Sequence, residues 1–163
     1  MPIDLPPAPP AIVITEDGGG VVKKYEALVD RYSAENREVR IMGSCRSACI
    51  LYLGARNVCV GPNAVIKAHM AYEPYTDINR PDVTAEMMSR IPVRISARLA
   101  PYITEKYNKM TTLSSSQLIE LGVRPCGADK TVSASDKPRS QLIGQPKPAD
   151  PMTKFFFNIL GVN

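Results

Sequence analysis

Apolar residues in the first part of the chain follow a strand, turn and helix order. The run AIVIT (11–15) is rich in β-branched residues and is typical of a buried strand. The segment EDGGG ends this run, and apolar residues then recur at helical spacing over 20–34 with charged residues between them. The pattern predicts a strand, a glycine turn and an amphipathic helix.

The middle of the chain repeats this order with shorter elements. VRIMG (39–43) predicts a second strand, and the following small residues give way to large apolar ones, which predicts a buried helix from about Ser47. NVCVG and AVIKAH (64–69) predict a third and a fourth strand, with the turn-forming Gly61-Pro62-Asn63 between them.

The second half is predicted to be mainly helical. Helical spacing begins near Val83 and is interrupted by Pro92 and Pro101, and a last helix over 114–121 begins at a serine N-cap and stops at Gly122. Strands that alternate with helices predict an α/β domain of repeated strand-strand-helix units, with a mainly parallel sheet covered by helices.

Proline positions divide the chain into three parts. Of the 15 prolines, five lie in 1–10 and four in 138–151, which leaves six in 11–126. We therefore expect a Pro-rich lead (1–10), a folded domain (11–126) and a tail (127–163) whose Ser, Pro, Lys and Asp content cannot bury enough apolar area to order itself. The tail ends on the apolar FFFNILGV, which could dock on its own domain, a protein partner or a membrane surface.

Composition excludes several classes of protein. With 44% apolar residues the chain has enough material for a core, and it lacks an apolar run of the length that a membrane span needs. The net charge of +4 is spread without long basic blocks, so no nucleic-acid partner is predicted. The start has no basic-then-apolar signal peptide, although a mature exported chain would begin in the same way.

Four cysteines form an even set: Cys45, Cys49, Cys59 and Cys126. Disulfides in an oxidising compartment would explain them, with three pairings allowed, and buried thiols in a cytosolic protein are the alternative. A zinc site is disfavoured because paired Cys-x-x-Cys knuckles are absent, and no metal is predicted.

Candidate chemistry lies at the carboxyl ends of the predicted strands, where parallel α/β folds gather their ligands. The run Gly18-Gly19-Gly20 could present free amides to an oxyanion, or could simply form a tight turn. It matches no nucleotide-binding motif, and no cofactor is predicted. In GSCRSAC (43–49), Ser47 stands at a strand-to-helix turn, where it is either a nucleophile beside the Ala48 amide or only a helix cap.

His69, the single histidine, ends the fourth predicted strand. It could be a packed core group, but a hydrogen bond to Ser47 is sterically plausible because both residues end strands of one sheet. An imidazole base is what activates a weak serine nucleophile. A thiol-imidazole pair of Cys45 or Cys49 with His69 is a less favoured alternative.

These motifs occur in the order strand, glycine turn, helix, serine turn and histidine strand, and TLSSSQLIELGV follows them. In this order the chain, over roughly 11–125, resembles the Clp protease proteolytic subunit (ClpP) family of the crotonase-like fold. The Cys-x-Ser-Ala-Cys turn is similar to that of the exported relatives of this family. The resemblance implies a serine nucleophile at Ser47, a base at His69 and oxyanion amides at Gly19, Gly20 and Ala48. Members of that family form rings, so it also implies self-association.

The chain departs from this family at the third member of the triad. The stretch YNKMTTLSSSQL has no aspartate where the family has one, and Met110 stands at that place. Asn108 could orient the imidazole without supplying a charge, or a carboxylate from the loop after His69 could substitute: Glu73, Asp77 or Asp82.

The sequence therefore predicts a periplasmic or secreted serine hydrolase, with peptidase-like action on a peptide or protein substrate; a cytoplasmic location is the alternative. A second hypothesis is a catalytically degenerate ClpP-like protein that keeps the fold for binding or assembly, with its tail engaging a protein partner. A crotonase-type enzyme acting on CoA thioesters is a third, although the core is short for that class.

Overall fold

The computed structural model describes residues 4–103 and 110–127. Asn108 and the predicted tail from residue 128 lie outside the described residues. Within them, residues 4–10 are exposed and have no regular secondary structure, and the strands and helices begin at Ile12.

The described residues form six strands and five helical segments. The strands are β1 (Ile12–Asp17), β2 (Val39–Arg46), β3 (Val58–Val60), β4 (Val65–Ala68), β5 (Thr111–Ser114) and β6 (Arg124–Pro125). The α-helices are α1 (Val22–Ala34), α2 (Pro81–Ser89), α3 (Val93–Leu99) and α4 (Ser115–Glu120), and a 3₁₀ helix spans Ser47–Gly54. The predicted α/β class is confirmed.

All described strands belong to one curled, mixed sheet in which β2 is the central element. β2 pairs with β1 over most of its length, and along its other edge it pairs first with β3 and then with β4. These pairings and β3–β6 are parallel, whereas β4–β5 is antiparallel. The expectation of a mainly parallel sheet is met, with β5 as the exception.

A bulge near the middle of β2 bends the sheet. The register steps from Ile14 opposite Ile41 to Glu16 opposite Ser44, so β2 carries one extra residue there. Gly43 lies in the bulge, where the carbonyl of Thr15 occupies the space that a Cβ would need. Glycine is therefore required at residue 43.

The core lies between the sheet and the helices, and α1 packs against the 3₁₀ helix within it. Three buried tyrosines form the contact: the Tyr25 and Tyr52 rings meet edge to face with centroids 5.5 Å apart, and Tyr32 stacks on Tyr52 at 6.2 Å. This packing fixes the position of the 3₁₀ helix, and with it the turn at Ser47.

Several boundaries differ from the sequence prediction. The segment from Ser47 is a 3₁₀ helix, and β2 runs to Arg46, three residues past the predicted end. The short strands β5 and β6 were not predicted. Ser114 is the N-cap of α4 as predicted, since its hydroxyl accepts the Gln117 amide, and the helix stops before Gly122.

Candidate active site

Ser47 lies at an abrupt change of backbone direction. β2 ends at Arg46, and Ser47, the first residue of the 3₁₀ helix, has a φ of 57° in the left-handed region. A non-glycine residue pays a conformational cost there, and such strain often occurs at functional sites. Arg46 occupies the N-cap position and no side chain caps this helix, so the capping role considered for Ser47 is wrong.

The glycine turn after β1 packs directly against this serine turn. Gly19 has a φ of +84°, and a Cβ built on it would lie 2.7 Å from the Ser47 Cβ and 2.9 Å from the Ala48 amide nitrogen. Gly19 therefore has to be glycine both for its backbone conformation and for the close approach of the two turns. Three residues that sequence reasoning selected, Gly19, Ser47 and Ala48, are thus neighbours in space.

The amides around Ser47 differ in their availability. The Gly19 N–H donates to Asp17 Oδ1 at 2.8 Å, so it is committed to the turn and does not face a ligand. The Gly20 N–H has no hydrogen-bond acceptor among the described residues, and Ala48 is the second residue of its helix, where N–H groups have no intrahelical acceptor. Gly20 and Ala48 remain as candidate oxyanion donors, and Gly19 has a structural role.

Asp17 is a site residue that sequence reasoning missed. Its Oδ1 accepts both the Gly19 N–H and the Tyr25 hydroxyl, the latter at 2.6 Å, which ties the glycine turn to α1. Burial raises the pKa of the Asp17 carboxyl, and the two hydrogen bonds counter part of that rise. The signal was present, because an aspartate just before glycines at a strand end is typical of a side chain that bonds the backbone two residues later.

His69 and Ser47 follow two neighbouring strands of the sheet. Arg46 pairs with Lys67 in the parallel β2–β4 ladder, so Ser47 and His69 follow at the same carboxyl end of neighbouring strands. Both side chains are nearly covered, with 2% of Ser47 and 7% of His69 exposed. The register therefore places Ser47 and His69 at the same end of the sheet.

The His69 ring is oriented by the main chain. Its Nδ1 lies 2.8 Å from the Met70 carbonyl oxygen, and because a carbonyl only accepts, Nδ1 carries the proton and Nε2 is the basic nitrogen. Burial lowers the pKa of His69 below 6.5, and the bond to Met70 partly offsets this. The imidazole is therefore neutral at pH 7, which is the form a general base requires.

Two of the three carboxylates considered as substitutes for the missing aspartate are engaged elsewhere, because Arg80 binds Glu73 at 3.2 Å and Asp82 at 2.7 Å. The third, Asp77, is exposed and has a φ of 53°. The fourth candidate, Asn108, lies outside the described residues. Within the described chain, the acceptor seen on His69 Nδ1 is the Met70 carbonyl.

All four cysteines are bonded in two pairs, Cys45–Cys49 and Cys59–Cys126. The prediction of disulfides is confirmed and the pairing is now defined; the buried-thiol and thiol-imidazole alternatives are wrong. Two disulfides indicate an oxidising environment such as the periplasm or the extracellular space. The first pair encloses Ser47, with one Cys at the end of β2 and the other in the 3₁₀ helix.

Other kinds of site find no support in the described residues. They contain no group of three or more His, Cys, Asp or Glu that could hold a metal ion. None of the helices they form is long and apolar enough to cross a membrane. Comparison with models of known protein families and with curated proteins gave no match.

Proposed function

We propose that this protein is a serine hydrolase with a ClpP-like fold, in which Ser47 is the nucleophile and His69 the general base. The observation that carries the proposal is the packing of the Gly19 turn against Ser47 and Ala48, at the strand end next to His69. A strained serine, a neutral imidazole with a fixed tautomer and nearby backbone amides are the parts that acyl transfer needs.

The reaction follows from these groups. Ser47 Oγ forms a bond to a carbonyl carbon while its proton passes to His69 Nε2, and the carbonyl oxygen becomes an anion that the Gly20 and Ala48 amides can bind. The bond to the leaving group then breaks, and the leaving group takes the proton from Nε2. Water attacks the acyl-enzyme by the same route and restores Ser47.

In this proposal the Met70 carbonyl orients the His69 imidazole, which is the role of the aspartate in the ClpP family. A carbonyl holds the imidazole in the correct tautomer, but it does not stabilise an imidazolium as a full negative charge would. Loss of the orienting carboxylate in a serine protease costs about 10⁴ in turnover, so we expect slow catalysis. The proposed substrates are peptides and proteins, and the proposed location is the periplasm or the extracellular space. We also propose that the protein self-associates, as members of the ClpP family do.

A fluorophosphonate probe tests the serine-histidine pair without knowledge of the substrate. We expect intact-mass analysis to show one label on the wild type and none on Ser47→Ala or His69→Ala. Ser44→Ala is the matched control, because this half-buried serine precedes the turn by three residues and should leave labelling intact. Absence of labelling on a folded wild type would contradict the proposal and favour a binding or assembly protein.

A further inference from the structure

Two cations lie side by side at the strand ends that lead into the candidate site. Arg46 and Lys67 are Cα partners in the β2–β4 ladder, and neighbouring strands are about 5 Å apart. Arg46 immediately precedes Ser47, and Lys67 is two residues before His69. Each cation therefore precedes one of the two proposed catalytic residues at the end of a strand.

These two side chains lie on the face of the sheet opposite the core. The ladder row just before them, Cys45, Ile66 and Leu113, is buried, and side chains alternate between faces along a strand. Arg46 is exposed and Lys67 is half-buried, so both remain accessible to a ligand.

No acidic partner explains the pair. Within the described residues, neither cation has a carboxylate within the 4.0 Å ion-pair distance, although seven other cations there do. Glu16 is the acidic residue nearest in the register on the same face, opposite Ser44, and it makes no such bond. Like charges directly opposite each other in a sheet are destabilising, so an anion bound between the two cations would relieve their repulsion.

We infer that Arg46 and Lys67 select substrates with an acidic side chain at the residue whose carbonyl Ser47 attacks. This inference rests on the proposed function and adds a substrate class, namely peptides cleaved after Glu or Asp. A side-chain carboxylate lies only a few bonds from the carbonyl of its own residue, and Arg46 is the residue that immediately precedes Ser47 in the chain. Charge-assisted hydrogen bonds to such a carboxylate supply both affinity and selectivity.

Diphenyl phosphonates that carry the side chains of Glu, Gln or Lys provide a matched set of serine-directed probes. We expect the wild type to react with the Glu probe at least about tenfold faster than with the isosteric Gln probe, since a hydrogen bond to a charged group contributes about that factor or more. Raising the salt concentration should reduce this ratio, because the cations are solvent-accessible.

The variant Arg46→Glu/Lys67→Glu should reverse the preference towards the Lys probe. Arg56→Glu is the matched control, since Arg56 is an exposed arginine at the amino-terminal end of β3, away from Ser47. Equal wild-type rates with the Glu and Gln probes, or an unchanged ratio in the double variant, would overturn the inference. Retained labelling of the double variant by the uncharged fluorophosphonate shows that the site is intact.

A binding measurement separates failure of this inference from failure of the proposed function. In Ser47→Ala, acetyl-Glu-amide should shift the backbone amide NMR signals of residues 46 and 67, and acetyl-Gln-amide at the same concentration should not. Such shifts without any wild-type labelling would support the anion site and contradict the hydrolase. Labelling of the wild type without charge selectivity, and without these shifts in Ser47→Ala, would support the hydrolase and contradict the anion site.

Discussion

Gly19 and Ser47 meet through their backbones, so the site depends on the absence of a side chain at residue 19. The Gly19 conformation and the short distances to Ser47 and Ala48 both act against any larger residue. Gly20, its neighbour, has a different environment, because a Cβ there would meet the Tyr25 ring at an ordinary 3.6 Å. The two glycines therefore make distinct demands that mutation can separate.

Gly19→Ala should lower the free energy of unfolding by about 2 kcal/mol or more, since it combines left-handed strain with a clash against Arg46 and Ser47. It should also abolish fluorophosphonate labelling, because the serine turn has to move. Gly20→Ala, which keeps its amide, should change stability by less than about 1 kcal/mol and retain labelling. Denaturant unfolding and intact mass measure both effects; equal behaviour of the two variants would contradict this account.

The lowered pKa of His69 predicts how labelling depends on pH. The rate should fall as the imidazole becomes protonated, with its midpoint below pH 6.5. Because the chain has one histidine, its NMR titration can be followed without assignment and should give the same pKa. A midpoint at or above 6.5 would show that burial does not control this group.

The same shift has a consequence for stability. The unfolded chain binds a proton at His69 near pH 6.5, whereas the folded protein binds it only at lower pH. The free energy of unfolding should therefore decrease as the pH falls from 6.5 to the folded pKa, and this contribution should be absent in His69→Gln. Unfolding curves of the two proteins at several pH values provide the measurement.

For single residues, the sequence predicted members of the candidate site where the residue type is rare in the chain or has a small side chain. Ser47, His69 and Gly19 were selected because they lie at the ends of predicted strands and match motifs of the ClpP family, although each also had a plain structural explanation. The hydrogen bond from the Gly19 N–H to Asp17 could not be predicted, because it depends on the position of the Asp17 carboxylate. The role of the Met70 carbonyl was equally hidden, since any residue can supply a carbonyl.

Among the elements, β2 determines the site by pairing with two successive strands along one edge. β3 pairs with residues 39–41 and β4 with residues 44–46, and the turn at Gly61-Pro62-Asn63 shifts the chain between them. This offset brings the end of β4, which His69 follows, beside the end of β2. The sequence predicted each of these strands, but their offset is a matter of tertiary pairing and has no local signal.

The elements that were missed are short and polar. β5 has the sequence TTLS and β6 has two residues, so neither gives a periodic pattern, and both exist because a partner strand accepts their hydrogen bonds. The 3₁₀ geometry from Ser47 was likewise not predictable from apolar residues, which suit either kind of helix.

The two disulfides should contribute in different ways. Cys45–Cys49 closes a loop of only 4 residues around Ser47, whereas Cys59–Cys126 closes 67. Loop-closure entropy predicts a loss of about 2 kcal/mol of stability when the first is removed and about 4 kcal/mol for the second. Cys45→Ala/Cys49→Ala should nonetheless lose most fluorophosphonate labelling, because it frees the turn that holds the nucleophile.

Cys59→Ala/Cys126→Ala is the control for this comparison. It should lower stability more and yet retain labelling at a temperature where the variant is folded. Thermal unfolding and labelling rates of both double variants show whether each disulfide affects stability, labelling or both. If labelling instead follows stability in both, the short disulfide has no positioning role.

On the scale of the whole molecule, the cysteine chemistry indicates where the protein works. The native protein, denatured without reductant, should take up no iodoacetamide, and after reduction it should take up four equivalents because the sequence has 4 cysteines. Mass spectrometry of the two samples provides the measurement. Alkylation of the unreduced protein would contradict an oxidising environment.

The short disulfide around Ser47 also has a consequence for timing. A polypeptide leaves the ribosome with its thiols reduced, and in a reducing compartment Cys45 and Cys49 stay apart. On the proposed function, the newly made chain is then latent, and it matures only where an oxidant joins the two sulfurs. Proteins that share its compartment of synthesis are thereby spared.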